Sequence, residues 1–420
     1  MFTPKILTTI RNYSRAAALS DFLAGLTVAL VAIPLCIGIA IASGAAPAQG
    51  LVTAVVAGFL ISALGGSRVQ IGGPTGAFIV VVAGIIGAHG YSGLVAATFM
   101  AGIILVAAAL LRAGRLAKYV PEAVVNGFTI GIAIIIAVSQ IKDLAGLKMD
   151  DPPSDVAGQI ASDWASRSTL SGSSLAVGLV TMALIVLLRR TAPRWPGLII
   201  AVGIGSVLAL WLPGVDTVGS RYGALPSSLP APSVPGLTPE TVLRLIPAAF
   251  TIAFLAGIES LLSAMVADRM MGGSHRPHAE LLAQGAANIG SALFGGLPAT
   301  GAIARTATNV RAGGKTPVAG IVHAVTILIV MMIAAPLAGK MAMPCVAGLL
   351  ILTAWNMSEP DKWAGYFKAQ NADRLLLVAT LVLTVLVDLT TAIGVGVALG
   401  LFFRWRNGRT GPETFPEAES

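Results

Sequence analysis

Long apolar runs alternate along this chain with short polar segments, and their spacing fits a lipid bilayer. A helix that spans the hydrocarbon core needs about 20 apolar residues. Runs of this kind, several of them short, fall at residues 22–42, 49–64, 75–88, 93–111, 120–141, 173–188, 196–212, 245–267, 281–294, 301–310, 318–337, 344–357, 375–389 and 393–403. The pattern predicts an all-α polytopic membrane protein with 14 transmembrane segments. The first run is too long for the core of a cleaved signal peptide, so it is expected to remain as the first helix.

Charge placement supports an even number of spans. With the N-terminus in the cytoplasm and strict alternation, 21 of the 27 Lys and Arg residues fall on the inside and six on the outside. That is the asymmetry of the positive-inside rule. Both termini are therefore expected in the cytoplasm of a plasma membrane, a bacterial inner membrane by preference. The net charge of +8 is a topology signal: the basic residues sit in loops between apolar runs, without interleaved aromatics, and no nucleic-acid partner is expected.

Composition agrees. Hydrophobic residues make up 55% of the chain and charged residues 11%, where a soluble domain carries about 25% charged. Lipid is the expected surrounding. Glycines inside the apolar runs, such as Gly25, Gly38, Gly58, Gly102 and Gly131, are expected to let helices approach closely. Cys36 and Cys345 lie in apolar runs with no metal-ligand spacing around them. No Walker loop, nucleophile elbow or zinc motif is present, so neither an enzyme nor an ATP-driven pump is indicated, and no cofactor is expected.

The longest polar stretch, rich in Pro, Ser and Gly, divides the runs seven and seven. The expected organisation is a cytoplasmic segment 1–20, a first seven-span repeat 21–213, an extracytoplasmic loop 214–243, a second repeat 244–406 and a cytoplasmic tail 407–420. An odd number of spans per half inverts the second half relative to the first, as in inverted-repeat transporters. The halves echo one another. Gly73-Pro74-Thr75-Gly76-Ala77 opens the third span and Pro298-Ala299-Thr300-Gly301-Ala302 opens the tenth. Short, Gly/Pro-interrupted segments at matching positions point to a midplane binding site.

A helix that begins inside the membrane leaves its first N–H groups unpaired and carries about half a positive charge there. Two such ends facing each other would form an anion site from backbone, with Thr75, Gly76, Ala77 and Phe78 on one side and Thr300, Gly301, Ala302, Ile303 and Ala304 on the other. Thr75 and Thr300 would either donate hydroxyls to the anion or cap their helices. Arg305, one turn into the second half-helix, either adds a full positive charge or belongs to the inward-facing basic set. Glu259 is the only acid in run 245–267. An intramembrane carboxylate is a functional candidate by default. If it carries a proton it relieves repulsion towards an incoming anion; a salt bridge to Arg305 and a sodium-ligand role are the alternatives. Ser263, four residues on, faces the same way. Glu122, Asp268 and Asp388 sit near span ends, Gln284, Asn288 and Asn309 are expected to hydrogen-bond between helices, and His323 to be a packed histidine.

The segments Gly73 to Phe78, Gly257 to Ala264, and Pro298 to Thr316 resemble the sulfate permease (SulP) family of anion transporters. The resemblance runs from Asp21 to Arg406 and is most specific from Glu259 to Thr316. It implies a 7+7 inverted repeat with core and gate domains that move relative to one another, usually as a homodimer. It also implies an anion held between the third and tenth spans near Phe78, Glu259, Ala302, Ala304 and Arg305. Two departures stand out. Many members carry Pro-Gln in the first span, where this chain has Pro34-Leu35, and members usually end in a cytoplasmic STAS domain, where only a short tail follows Arg406 here. The expected function is secondary active transport of sulfate, bicarbonate or a dicarboxylate by alternating access, coupled to protons, or to sodium, through Glu259 and Ser263. A nucleobase symporter of the same architecture and a passive anion channel are the rival readings.

Overall fold

The computed structural model describes residues 2–114, 121–149, 153, 155–192, 195–369, 371–387 and 389–406. The tail 407–420 and Asp388 lie outside the described residues. Helix α1 (Arg15–Ala42) starts seven residues before the predicted run, because the Ser14 hydroxyl accepts the Ala17 N–H and caps it there. Helix α2 (Pro47–Leu64) begins on a proline, with the Gln49 side chain accepting the Ala46 N–H at 2.7 Å. Helix α3 (Ile79–Leu110) holds the third and fourth predicted runs and is broken between them at Gly90, whose φ of 69° suits glycine. Helices α4 (Glu122–Ser139), α5 (Gly172–Thr191) and α6 (Gly197–Ala209) complete the first half.

The second half comprises α7 (Pro239–Met271), α8 (Pro277–Leu293), α9 (Ile303–Arg311), α10 (Val318–Gly339), α11 (Met343–Met357), α12 (Asn371–Leu386) and α13 (Leu389–Arg406). A described helix overlaps each predicted run. Among the described residues, seven helical stretches are by length and composition able to cross a membrane. Among the others, α9 has nine residues.

The helices pack in two groups. In one, α8 lies against α2 and α3, α7 against α3, and α10 against α1 and α2. In the other, α4 lies against α12, and α5 against α6 and α11. We refer to the first group as the core and to the second as the gate. Small residues let helices α3 and α8 of this first group approach closely. A Cβ on Gly102 would stand 2.8 Å from the Gly285 carbonyl oxygen, and a Cβ on Gly285 would stand 2.8 Å from that of Gly102. The outer surface carries Leu110, Leu111, Leu210, Trp211, Ile333 and Leu386, an apolar exterior that lipid satisfies. Cys36 and Cys345 are buried free thiols.

Two short strands lie at the centre. β1 (Gly72–Gly73) pairs antiparallel with β2 (Thr300–Gly301), Gly72 opposite Gly301 and Gly73 opposite Thr300. Each strand leads directly into a helix that starts inside the protein. Non-helical backbone at such depth needs partners, since lipid offers none, and side chains supply them. Asn288 donates to the Ala299 carbonyl and accepts the Ala299 N–H, both at 2.9 Å. Thr53 accepts the Leu297 N–H at 2.6 Å, Thr306 accepts that of Ile71 at 3.1 Å, and Asn309 donates to the Val69 carbonyl at 2.8 Å. Asn288 and Asn309 therefore bond to the strand-flanking backbone, a more specific task than the interhelical bonding their sequence positions suggested.

Candidate functional site

A cavity of about 470 Å³ lies between the two helix groups. Its core wall is formed by Val31, Leu35 and Ile39 of α1, by Pro74 to Ala77, by Ile258, Glu259 and Leu262 of α7, and by Ala302 to Arg305. Its gate wall is formed by Asn126 and Thr129 of α4 and by Thr353 and Asn356 of α11. Glu122, Arg189, Arg269, Glu359 and Lys362 also line it.

The two half-helices both start on this cavity. The first opens with a tight turn over Gly76–Phe78 before α3, and the second is α9. The amides of Gly76 and Ala77, and those of Ile303, Ala304 and Arg305, precede the first helical hydrogen bonds and have no acceptor among the described residues. The cavity thus receives two sets of unpaired N–H groups and the positive ends of two helix dipoles.

Not every predicted residue reaches it. Thr300 and Gly301 do not line the cavity. Both belong to β2, and their polar groups are engaged behind it: the Thr300 hydroxyl donates to the Ala256 carbonyl at 3.1 Å and lies 2.7 Å from Ser260 Oγ, which accepts the Gly301 N–H at 3.0 Å. Ala302 lines the cavity with its side chain, but its N–H donates to Ile71 at 2.8 Å. The fully buried Phe78 packs behind the turn, and the Ser263 hydroxyl sits 3.1 Å from Thr306 Oγ1, away from the cavity. Thr75, Gly76, Ala77, Ile303, Ala304, Arg305 and Glu259 do line it. The Thr75 hydroxyl is buried without a hydrogen-bond partner, so it does not cap its helix.

Arg305 is 4% exposed. Its guanidinium crosses from the second half to the first, donating to the Pro74 carbonyl at 2.9 Å, while Nη1 has no partner. Glu259 is half-buried on α7 and makes no ion pair with Arg305. One carboxyl and one guanidinium therefore border the same cavity without neutralising each other. Asp268 bonds the His275 backbone and ring at 2.7 and 2.6 Å, a local cap at the end of α7.

The gate wall was missing from the sequence-based set. Asn126 and Asn356 stand in apolar runs, and that polarity was the available signal. Arg189 and Arg269 belong to the basic residues counted on the inside, and they also line the cavity. Leu35, where many SulP sequences have glutamine, lines the cavity and makes that part of the wall apolar.

Comparison with known proteins agrees with this architecture. The model of the sulfate permease family matches residues 19–380. The YvdB protein of Bacillus subtilis (strain 168) is 41% identical over 395 residues, 94% of this chain and 74% of that protein. The bicarbonate transporter BicA of Synechocystis is 31% identical over 391 residues, 90% of this chain and 68% of that one. The solved transmembrane domain of a cyanobacterial BicA superposes with a TM-score of 0.79 at 29% identity, covering 91% of this chain and 99% of that domain. These relatives are transporters, not enzymes. This integral membrane chain belongs to the sulfate permease family.

Proposed function

We propose that the protein is a secondary active transporter of a small oxyanion, sulfate or bicarbonate, working by alternating access and coupled to protons through Glu259. The observation that carries this reading is the cavity itself, where the free amides of Gly76, Ala77, Ile303, Ala304 and Arg305 meet beside an arginine with no carboxylate partner. Backbone amides and helix dipoles suit an oxyanion because they direct partial positive charge at oxygen without a mobile side chain to order. The anion then supplies the counter-charge that Arg305 lacks.

Glu259 gives the coupling its physical basis. As a carboxylate it opposes an incoming anion; as a neutral acid it does not. A proton entering with the anion leaves the cavity with less uncompensated negative charge than the anion alone. The position of the cavity between core and gate fits alternating access, in which the two groups shift around a fixed site.

The test is uptake of radiolabelled sulfate, bicarbonate and fumarate into proteoliposomes, with and without an inward proton gradient, by wild type and Glu259→Gln. Gradient-stimulated uptake of one anion by wild type, with gradient-independent or absent uptake by Glu259→Gln, is expected. Uptake by both proteins that ignores the gradient would remove the coupling. Transport of uracil in place of every anion would overturn the reading.

A further inference from the structure

Around β1, several buried polar groups have no hydrogen-bond partner among the described residues. Arg305 Nη1 is one. It lies beside β1, where a Cβ on Gly73 would stand 2.7 Å from it. His323 of α10 is fully buried, and both of its ring nitrogens are unpartnered. Its ring lies near the same strand: a Cβ on Gly58 of α2 would stand 3.1 Å from the Gly72 carbonyl oxygen and 3.9 Å from His323 Cδ2. Ser62, one turn beyond Gly58 on α2, is 3% exposed, and its hydroxyl is also unpartnered. It faces Gly320, one turn before His323 on α10, where a Cβ would stand 2.1 Å from Ser62 Oγ. Glycines on both helices therefore open a polar seam along α2, α10 and β1.

Unpaired groups of this kind cost about 1–3 kcal/mol each when nothing satisfies them. Their chemistry restricts what can. Arg305 Nη1 only donates. A neutral imidazole donates from one nitrogen and accepts at the other, and a serine hydroxyl does both. A cation would face the guanidinium, and an anion would leave the accepting imidazole nitrogen unmatched. Water donates and accepts, and a buried water is stable with two to four polar partners.

We propose that this seam binds internal water bridging Arg305 Nη1 to the His323 ring and continuing to Ser62. His323 is then the positioning residue for Arg305. It holds the guanidinium across the gap between the two halves, so that its charge is aimed at the cavity, without touching the anion itself. This second step rests on the anion-transport reading; the water site does not.

Two measurements test the pair. In the first, an electron cryomicroscopy map of the full-length protein in nanodiscs, fine enough to show waters, is expected to contain a peak within hydrogen-bond distance of Arg305 Nη1 and a His323 nitrogen. A direct Arg305–His323 bond or a dry seam overturns the proposal. In the second, sulfate and bicarbonate uptake is measured for His323→Leu, His323→Gln and both in an Arg305→Ala background. His323→Leu is expected to raise KM about tenfold with little change in kcat, the order expected from losing one charge-assisted hydrogen bond. His323→Gln is expected to restore most of the affinity, and neither is expected to matter once Arg305 is gone. An unchanged KM in His323→Leu, or a full further loss on top of Arg305→Ala, overturns the positioning role. Should His323→Leu fail to fold, Ser62→Ala replaces it, with loss of the water peak at that end of the seam expected and its retention counting against Ser62 as a ligand. A wild type that takes up neither anion defeats the functional reading, while the map still decides the water site.

Discussion

The two half-helix entrances, residues 73–79 and 300–306, carry the same Thr-Gly-Ala letters and use them differently. In the first, Thr75, Gly76 and Ala77 line the cavity, and the Thr75 hydroxyl is buried without a partner. In the second, Thr300 and Gly301 are strand residues tied to Ala256 and Ser260, and the helix starts only at Ile303. Strand register explains the offset. Gly73 pairs with Thr300, so the structural repeat is shifted relative to the repeat of letters. Chemistry differs as well: the third residue of the first helical turn is the buried, apolar Phe78, and that of α9 is Arg305. A nearly symmetric scaffold thus carries charge on one side only, and that side's guanidinium bonds back to the carbonyl of the other.

Substitutions can break or sharpen this contrast. The largest effect is expected from Ala304→Trp, which places an indole over the free amides of α9. Uptake should fall to the level of empty liposomes while the protein elutes as a folded species, and uptake at the wild-type rate would move the anion away from α9. Next comes Arg305→Ala. Removing a buried charge from a charge-assisted contact costs about 2–5 kcal/mol, so anion affinity should weaken by about a hundredfold or more in titrations of the purified protein. Equal affinity would mean that the arginine serves only to tie the halves together.

The threonine pair gives the smaller and more discriminating test. Thr75→Val should weaken anion binding by about fivefold, the worth of roughly one hydrogen bond, with thermal stability nearly unchanged. Thr300→Val should do the reverse, lowering stability by about 1–3 kcal/mol because the Ala256 and Ser260 contacts lose a partner, with affinity within about twofold of wild type. If both variants behaved alike, the asymmetry between the entrances would be structural only.

Much of this was legible along the chain. The positions of the apolar runs follow from bilayer thickness, and a described helix overlaps each one. Glu259 and Arg305 drew notice because a charge inside an apolar run is costly, and both border the cavity. The Gly/Pro breaks at Gly73-Pro74 and near Pro298 marked the helices that start inside the protein. The roles of Thr300, Gly301, Phe78 and Ser263 were not legible. Each depends on a partner more than twenty residues away, or on which side of a turn faces inwards, and local pattern carries neither. Asn126 and Asn356 came to the gate wall only through the docking of α4 and α11 against the core.

The sequence alone determined the class of environment, the helix positions and the costly charges, because transfer of apolar and charged groups into lipid depends on each residue's own chemistry. Tertiary structure decided which amides are free, which threonine is engaged, where the Arg305 guanidinium points and what stands across the cavity. Those properties arise from pairing between β1 and β2 and from helix contacts far apart in sequence, where a one- or two-residue shift in register exchanges a binding group for a structural one.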